Sequence, residues 1–225
     1  LVEKYDVKVD FREFIDVKGL DHREFRKQKV DILAHTAIIF TSRNAVDHFF
    51  RLCEELRIEV PLDMKYFCIS DQTAHYLQKY IVIRKRKLFV GQKTASDLFD
   101  YFKKHKNEKY LFPCSDIRKD DIPGFMEKHN ISFTEGIIYH TVAADLSDLA
   151  DVKYDILAFF SPSGIKSLFK NFPDFKQNNT RLATFGPTTA KAVIDAGLTI
   201  NIQAPTPAFP SMTMAIEDYV KRMNK

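Results

Sequence analysis

Apolar positions along the chain alternate between two periods. "HTAIIF" (35–40) is a short β-branched run, "TSRN" (41–44) a polar turn, and Ala45, Val46, Phe49, Phe50, Cys53 and Leu56 form an apolar stripe at helical spacing. This order predicts a strand, a tight turn and a helix, with Ser42 or Asn44 as the cap. "YFCIS" (66–70) leads through Asp71 into "QTAHYLQKY" (72–80) in the same way, and "YLFPCSD" (110–116) leads into a helix from about Ile122 to His129. Strands alternating with helices predict α/β units built on parallel sheets.

The order then recurs. "YDILAFFSPSGIKSLFK" from Tyr154 matches "HTAIIFTSRNAVDHFF" from His35, with Ser161 answering Ser42. "LATFGPTTAKAV" from Leu182 matches "YFCISDQTAHYL" from Tyr66, with Thr189 answering Thr73, at nearly the same offset. "TASDLFDYF" (94–102) and "PSMTMAIEDYV" (210–220) extend the parallel to a closing helix in each half. Internal similarity of this kind predicts two related α/β lobes, with a cleft expected between them.

Composition narrows the class. At 225 residues the chain lies between one large domain and two small ones, and 45% hydrophobic with 28% charged residues fits a globular protein with a core. No stretch approaches the ~20 uninterrupted apolar residues of a membrane span, and "LVEKYDVKVDF" does not read as a signal peptide, so a cytoplasmic protein is expected. Cys53, Cys68 and Cys114 have no C-x-x-C spacing and the seven histidines no H-x-x-x-H or H-E-x-x-H, which predicts neither disulfides nor a metal site. A net charge of +4 favours an anionic partner. The run "RKRK" (84–87), flanked by Ile81, Val82 and Ile83 before and Leu88, Phe89 and Val90 after, reads as a solvated connection or strand edge; no nucleic-acid motif accompanies it.

In open α/β sheets ligands gather at the carboxyl ends of the strands, where helix N-termini present unpaired N–H groups and a partial positive charge. Four turns of this kind carry hydroxyls: Thr41-Ser42, Asp71-Gln72-Thr73, Ser161-Pro162-Ser163-Gly164 and Gly186-Pro187-Thr188-Thr189. Any one of them is accounted for by helix capping, worth about 1 kcal/mol; fourfold recurrence is what points to a polyanionic ligand. Pro187 suits a first helical position and Gly197 a helix C-cap. G-x-G-x-x-G and G-x-x-x-x-G-K-[ST] are absent from the sequence, and "SPSG" is not a nucleophile elbow.

Taken in order, "YLFPCSDIRKDDIPGFMEKHNISFTEGIIYHTVA", "FFSPSGIKSLF", "ATFGPTTAKAVIDAGL" and "APTPAFPSMTMAIEDYV" resemble the uroporphyrinogen-III synthase family, and "IIFTSRNAVDHFF" fits an earlier element of it. The resemblance runs from about Val9 to the C-terminus. It implies two similar α/β lobes with parallel sheets, one inserted in the other and joined by a two-stranded linker. Lobe 1 would comprise 1–11 and 144–225, the paired linkers 12–18 and 136–143, and the inserted lobe 2 residues 19–135. Relatives begin with a strand and helix ahead of the segment matching "YDVKVDFREF", so lobe 1 is expected to lack those two elements in the sequence as it stands.

The resemblance implies a cofactor-free lyase that cyclises hydroxymethylbilane, a linear tetrapyrrole with eight carboxylates, and inverts its last ring. It further implies a monomer with a small-molecule substrate and a transient contact with hydroxymethylbilane synthase, with neither nucleic acid nor membrane as partner. Tyr139, matching the tyrosine of the family's linker motif, is the candidate acid; a phenol with pKa about 10 remains protonated at neutral pH. His140 is expected on the opposite face of an extended segment. Ser42, Thr73, Ser161, Ser163, Gly164, Thr188 and Thr189 are the candidate substrate-binding residues. Arg43-Asn44 stands where many relatives carry Pro-Arg. A non-catalytic two-lobed protein that binds tetrapyrrole or another anion is the alternative, and such a protein would leave the isomer ratio unchanged.

Overall fold

The computed structural model describes residues 2–82 and 84–223; Ile83 and the chain ends included in the expected lobe 1 lie outside the described residues. Contacts divide the chain into two compact units, one of Leu1–Asp16 with Val142–Lys225 and one of Val17–Thr141.

The second unit is built on a six-stranded sheet. It comprises β1 (Ile15–Gly19), α2 (His22–Lys27), β2 (Ala37–Phe40), α3 (Arg43–Leu56), β3 (Lys65–Cys68), α4 (Asp71–Leu77), β4 (Leu88–Val90), α5 (Phe99–Lys104), β5 (Tyr110–Ser115), α6 (Asp121–Lys128) and β6 (Phe133–Ala143), following a four-residue helix α1 (Val2–Tyr5) in the other unit. Strand order is β1-β6-β5-β2-β3-β4, and the pairs β2/β3, β2/β5, β3/β4 and β5/β6 are parallel. From β2 the chain fills β3 and β4 on one side, then returns to β5 and β6 on the other, so the winding reverses between β2 and β5.

Alternation along β2 shows why this sheet has helices on both faces. All four of its residues are buried: Ile38 and Phe40 pack with Val46, Phe49 and Leu52 of α3, whereas Ala37 and Ile39 pack with Phe102 of α5 and Met126 of α6. A fully buried parallel strand reads as a continuous apolar run, as "AIIF" does. Phe67 anchors the second face, stacked on Phe89 at 4.6 Å and edge-on to Tyr110 at 5.1 Å. The basic run at 84–87 leads into β4, the outermost strand, where Lys87 donates to the Asp63 carbonyl.

The first unit carries a separate three-stranded parallel sheet, β7-β8-β9, from β7 (Ile156–Phe159), β8 (Arg181–Phe185) and β9 (Ile200–Ala204), with α7 (Pro162–Asn171), α8 (Pro187–Asp195) and α9 (Met212–Met223). Phe159, Ile165, Leu168, Leu182 and Val193 pack one face and Ala183, Ile202, Met212 and Ala215 the other. The architecture is α/β with parallel sheets, as the alternating pattern predicts, although the two sheets differ in strand number. Of the segments expected as linkers, residues 15–18 fall in β1 and residues 136–143 in β6, strands that are neighbours in the large sheet, while residues 12–14 precede β1.

Candidate functional site

The carboxyl ends of β2 and β5, where the winding reverses, collect the first group of candidate residues. Ser42 follows β2 and caps α3, its Oγ accepting from the Ala45 N–H at 3.1 Å. Tyr139 arrives from β6, which is irregular where it passes the end of β5: Cys114 pairs with Ile137, but Ser115 pairs with Tyr139. Ile138 is thus an extra residue, a β-bulge, and bulges re-aim side chains. Ile138 and Tyr139, though consecutive, both join the apolar cluster that contains α3, which unbroken alternation forbids.

The Tyr139 hydroxyl lies 3.5 Å from Ser42 Oγ, at the outer limit of hydrogen bonding, and its ring packs on His48 with centroids 5.3 Å apart. Tyr139 is 9% exposed. Burial raises the pKa of its phenol; the Ser42 contact lowers it in part, and Cys114 and Asp116 push it up again. The phenol therefore holds its proton at neutral pH. His48 is shifted the other way, by burial and then by Arg51, which keeps the ring against Tyr139 neutral.

Thr73 sits in the first turn of α4, at the carboxyl end of the neighbouring strand β3. The cap of α4 is Ser70, which the sequence pattern did not single out: its Oγ accepts from the Thr73 N–H at 3.3 Å and lies 3.2 Å from Thr73 Oγ1. Both polar groups of Thr73 are thus engaged within the turn, and the side chain is buried.

The first unit repeats the geometry with a difference. Ser161 precedes α7 and Gly186 precedes α8, at the ends of the adjacent strands β7 and β8, and neither helix start has a side-chain cap. Ser161 Oγ is instead 2.9 Å from Ser163 Oγ. Thr188 is exposed, whereas Thr189, in the first turn like Thr73, is buried. Gly164 allows α7 to sit on β7: a Cβ there would lie 3.1 Å from Phe159 Cδ1. The structure therefore brings Ser42 and Tyr139 together with Thr73 on the neighbouring strand end, and brings Ser161, Ser163, Gly164, Thr188 and Thr189 together on the other sheet.

One polar cluster was not anticipated. Asp116, just beyond β5, faces His140 with Oδ2 to Nδ1 at 3.2 Å, and its Oδ1 accepts from the Thr141 N–H and from Ser115 Oγ. The His140 side chain is partly exposed where it meets Asp116. A cleft of about 630 Å³, lined by Asp47, Phe50, Glu54, Tyr66 and Tyr80 among others, lies along α3 and contains none of the candidate residues. Among the described residues no group of three or more His, Cys, Asp or Glu side chains is placed to hold a metal ion, and no helix is long and apolar enough to cross a membrane.

Comparison with known proteins bears on this arrangement. The family model described as uroporphyrinogen-III synthase HemD matches residues 1–214. The uroporphyrinogen-III synthase of Saccharomyces cerevisiae is 30% identical over an alignment of 123 residues; the match covers 48% of this chain and 45% of that relative's length. Among solved structures, uroporphyrinogen-III synthetase from Helicobacter pylori superposes with a TM-score of 0.61 at 21% identity, over 93% of this chain and 91% of that one. A uroporphyrinogen III synthase mutant from Thermus thermophilus gives 0.54 at 12% identity, over 93% and 88%. The structural likenesses establish the shared fold. With the family model matching nearly its whole length, the chain belongs to the uroporphyrinogen-III synthase family.

Proposed function

We propose that the protein cyclises hydroxymethylbilane with inversion of ring D, releasing water and forming uroporphyrinogen III. The observation that carries this reading is the Tyr139 hydroxyl: a protonated, largely buried phenol, re-aimed by a bulge to lie beside Ser42 at the carboxyl end of the sheet. The departing hydroxyl is a poor leaving group. Tyr139 donates its proton so that water leaves, while the attached pyrrole supplies the electron pair and becomes an azafulvene. The proton that this pyrrole nitrogen loses is then available to restore the phenol. A positioned acid contributes typically ~10²- to 10⁴-fold. Attack by the substituted carbon of the terminal pyrrole gives a spiro intermediate, and fragmentation with reclosure delivers the flipped ring.

Choosing that carbon requires a flexible substrate to be held in one pose, and its carboxylates are the handles. The uncapped starts of α7 and α8 support a binding role for Ser161, Ser163, Gly164, Thr188 and Thr189, because their first-turn N–H groups have no side-chain competitor for an anion. Ser42 shares its oxygen between its cap and Tyr139, and Thr73 shapes the adjacent turn. We assign the protein to the cytoplasm as a monomer, receiving its substrate through transient contact with hydroxymethylbilane synthase.

The test is a coupled assay in which hydroxymethylbilane is generated in situ and the type I and type III products are separated. With the natural full-length protein, type III product is expected, and Tyr139→Phe should lower its rate by ~10²-fold or more. Type I product alone would overturn the reading and favour a non-catalytic tetrapyrrole-binding protein.

A further inference from the structure

The bulge that aims Tyr139 needs something to hold it, because an extra residue leaves the β5/β6 ladder locally unpaired. Asp116 does so from the loop after β5. Its N–H donates to the Tyr139 carbonyl at 3.3 Å. Its Oδ1 accepts from the Thr141 N–H at 3.0 Å and from Ser115 Oγ at 2.8 Å, and Oδ2 faces His140 Nδ1 at 3.2 Å. Ser115 braces the group: its Oγ is 3.1 Å from Thr141 Oγ1 and accepts from the Ile117 N–H at 3.2 Å. One residue therefore grips three consecutive positions of β6, with Tyr139 first among them.

We infer that Asp116 is a positioning residue for Tyr139, whose carboxylate oxygen on the Thr141 N–H fixes the bulged strand in the one register that aims the phenol at Ser42. The inference rests on the reading of Tyr139 as the acid. Three arguments favour it over a surface ion pair. The contacts made by Oδ1 and by the Asp116 N–H go to backbone or to a buried serine, so they set strand geometry and not merely charge. Thr141 is the last residue of its unit, so the grip falls on the stretch where β6 leaves the sheet's own unit. Sub-ångström control of a donor matters, since misplacement by ~1 Å costs on the order of 10²-fold in rate. Burial tends to raise the Asp116 pKa, but the hydrogen bonds from the Thr141 N–H, Ser115 and His140 outweigh it and bring it below the ordinary value, so the acceptor stays ionised at neutral pH.

Three substitutions separate the possibilities: Asp116→Ala removes the acceptor, Asp116→Asn keeps an oxygen at the same reach without charge, and Asp116→Glu keeps the charge but displaces both oxygens by a methylene. Turnover and KM are measured with hydroxymethylbilane in the full-length protein, each alone and in a Tyr139→Phe background. The expected result is that D116A and D116E lower kcat ~10-fold or more with KM within about twofold, that D116N retains most of the activity, and that none has a further effect once Tyr139 is Phe. If D116A does not fold, the D116E and D116N pair carries the same test. Unchanged kcat in D116E, or losses that multiply with the loss from Y139F, would overturn the positioning role while leaving the acid role intact. Full activity in Y139F would instead overturn the acid role, and the positioning role with it.

Discussion

Replacing Gly186 by Ala isolates the backbone requirement at the start of α8. Gly186 has φ 86° and ψ 155°, a combination that is essentially glycine-only and costs other residues roughly 1–3 kcal/mol. Sterics beyond the backbone do not contribute, because a Cβ at this position meets nothing within 4 Å. Alanine also restricts the unfolded chain, offsetting about 0.4–1 kcal/mol. The net destabilisation is therefore between about 0 and 2.6 kcal/mol, about 1.3 kcal/mol at mid-range. If the backbone relaxes instead, the Gly186 N–H loses its 2.6 Å bond to the Ala204 carbonyl, worth about 1 kcal/mol, and the outcome falls in the same range.

For a domain of 60–100 residues each kcal/mol moves Tm by about 4–8 °C. At the mid-range value, differential scanning calorimetry of the full-length protein should thus show the transition assigned to the three-stranded unit falling by roughly 5–10 °C, with the six-stranded unit's transition unmoved. Gly197→Ala is the control: φ there is 73° with open space around it, so its cost should follow the ordinary left-handed penalty of about 1–2 kcal/mol. Isomer analysis should show a lower type III share for G186A, because the turn that orients the Thr188 and Thr189 N–H groups is the element disturbed. A G186A protein more stable than the parent by chemical denaturation would refute the strain argument, whatever its activity.

Ser42→Ala removes the α3 cap and should cost about 0.5–2 kcal/mol in urea unfolding, whereas Ser161→Ala, which breaks no cap bond, should stay within about 0.5 kcal/mol while raising KM. Stability should also depend on pH through His48, whose folded pKa is lowered first by burial and then by Arg51. The unfolded state binds the proton more readily, so stabilisation present above about pH 6.5 is lost as pH falls from there through the folded pKa; denaturation from pH 7.5 to 5 should show this slope, and His48→Gln should flatten it. Burial pushes the thiols of Cys53, Cys68 and Cys114 up to about 12, so a disulfide reagent at pH 8 should label none of them in the native protein and all three in denaturant.

The parts of the fold that were legible are those written within a few residues of chain. "AIIF" and "YFC" read as buried strands because every residue is apolar, and the α3 stripe reads as a helix because its partners lie three and four apart. The cap of α3 was legible only as Ser42 or Asn44, and the structure uses Ser42. Ser70 was not, because Asp71 and Thr73 beside it have the same chemistry, and only backbone dihedrals decide which residue stands outside the helix. The bulge at Ile138 was illegible on principle: a register shift belongs to two strands, and nothing in "GIIYHTVA" names Cys114 and Ser115 as its partners. Asp116 was missed in consequence, since its importance exists only once β5 and β6 are side by side.

The two sheets use the same strand-turn-helix unit for different ends. In the six-stranded unit the hydroxyls at the helix starts are spent on the protein itself: Ser42 caps α3, Ser70 caps α4, and Thr73 is tied to Ser70. In the three-stranded unit the matching positions are Ser161 without a cap bond and Gly186 without a side chain. A capped helix start has already satisfied part of its donor set and its positive end, so it binds an anion less well than an uncapped one. The matched helix starts of the two repeats are therefore not equivalent. Among these four matched starts, α3 and α4 are capped by Ser42 and Ser70 whereas α7 and α8 have no side-chain cap, and it is beside the capped start of α3, against an apolar cluster, that the Tyr139 hydroxyl is held. An acid needs that fixed and partly desolvated setting to keep its proton until a leaving group arrives, whereas a carboxylate anchor needs unsatisfied N–H groups; a single helix start cannot supply both.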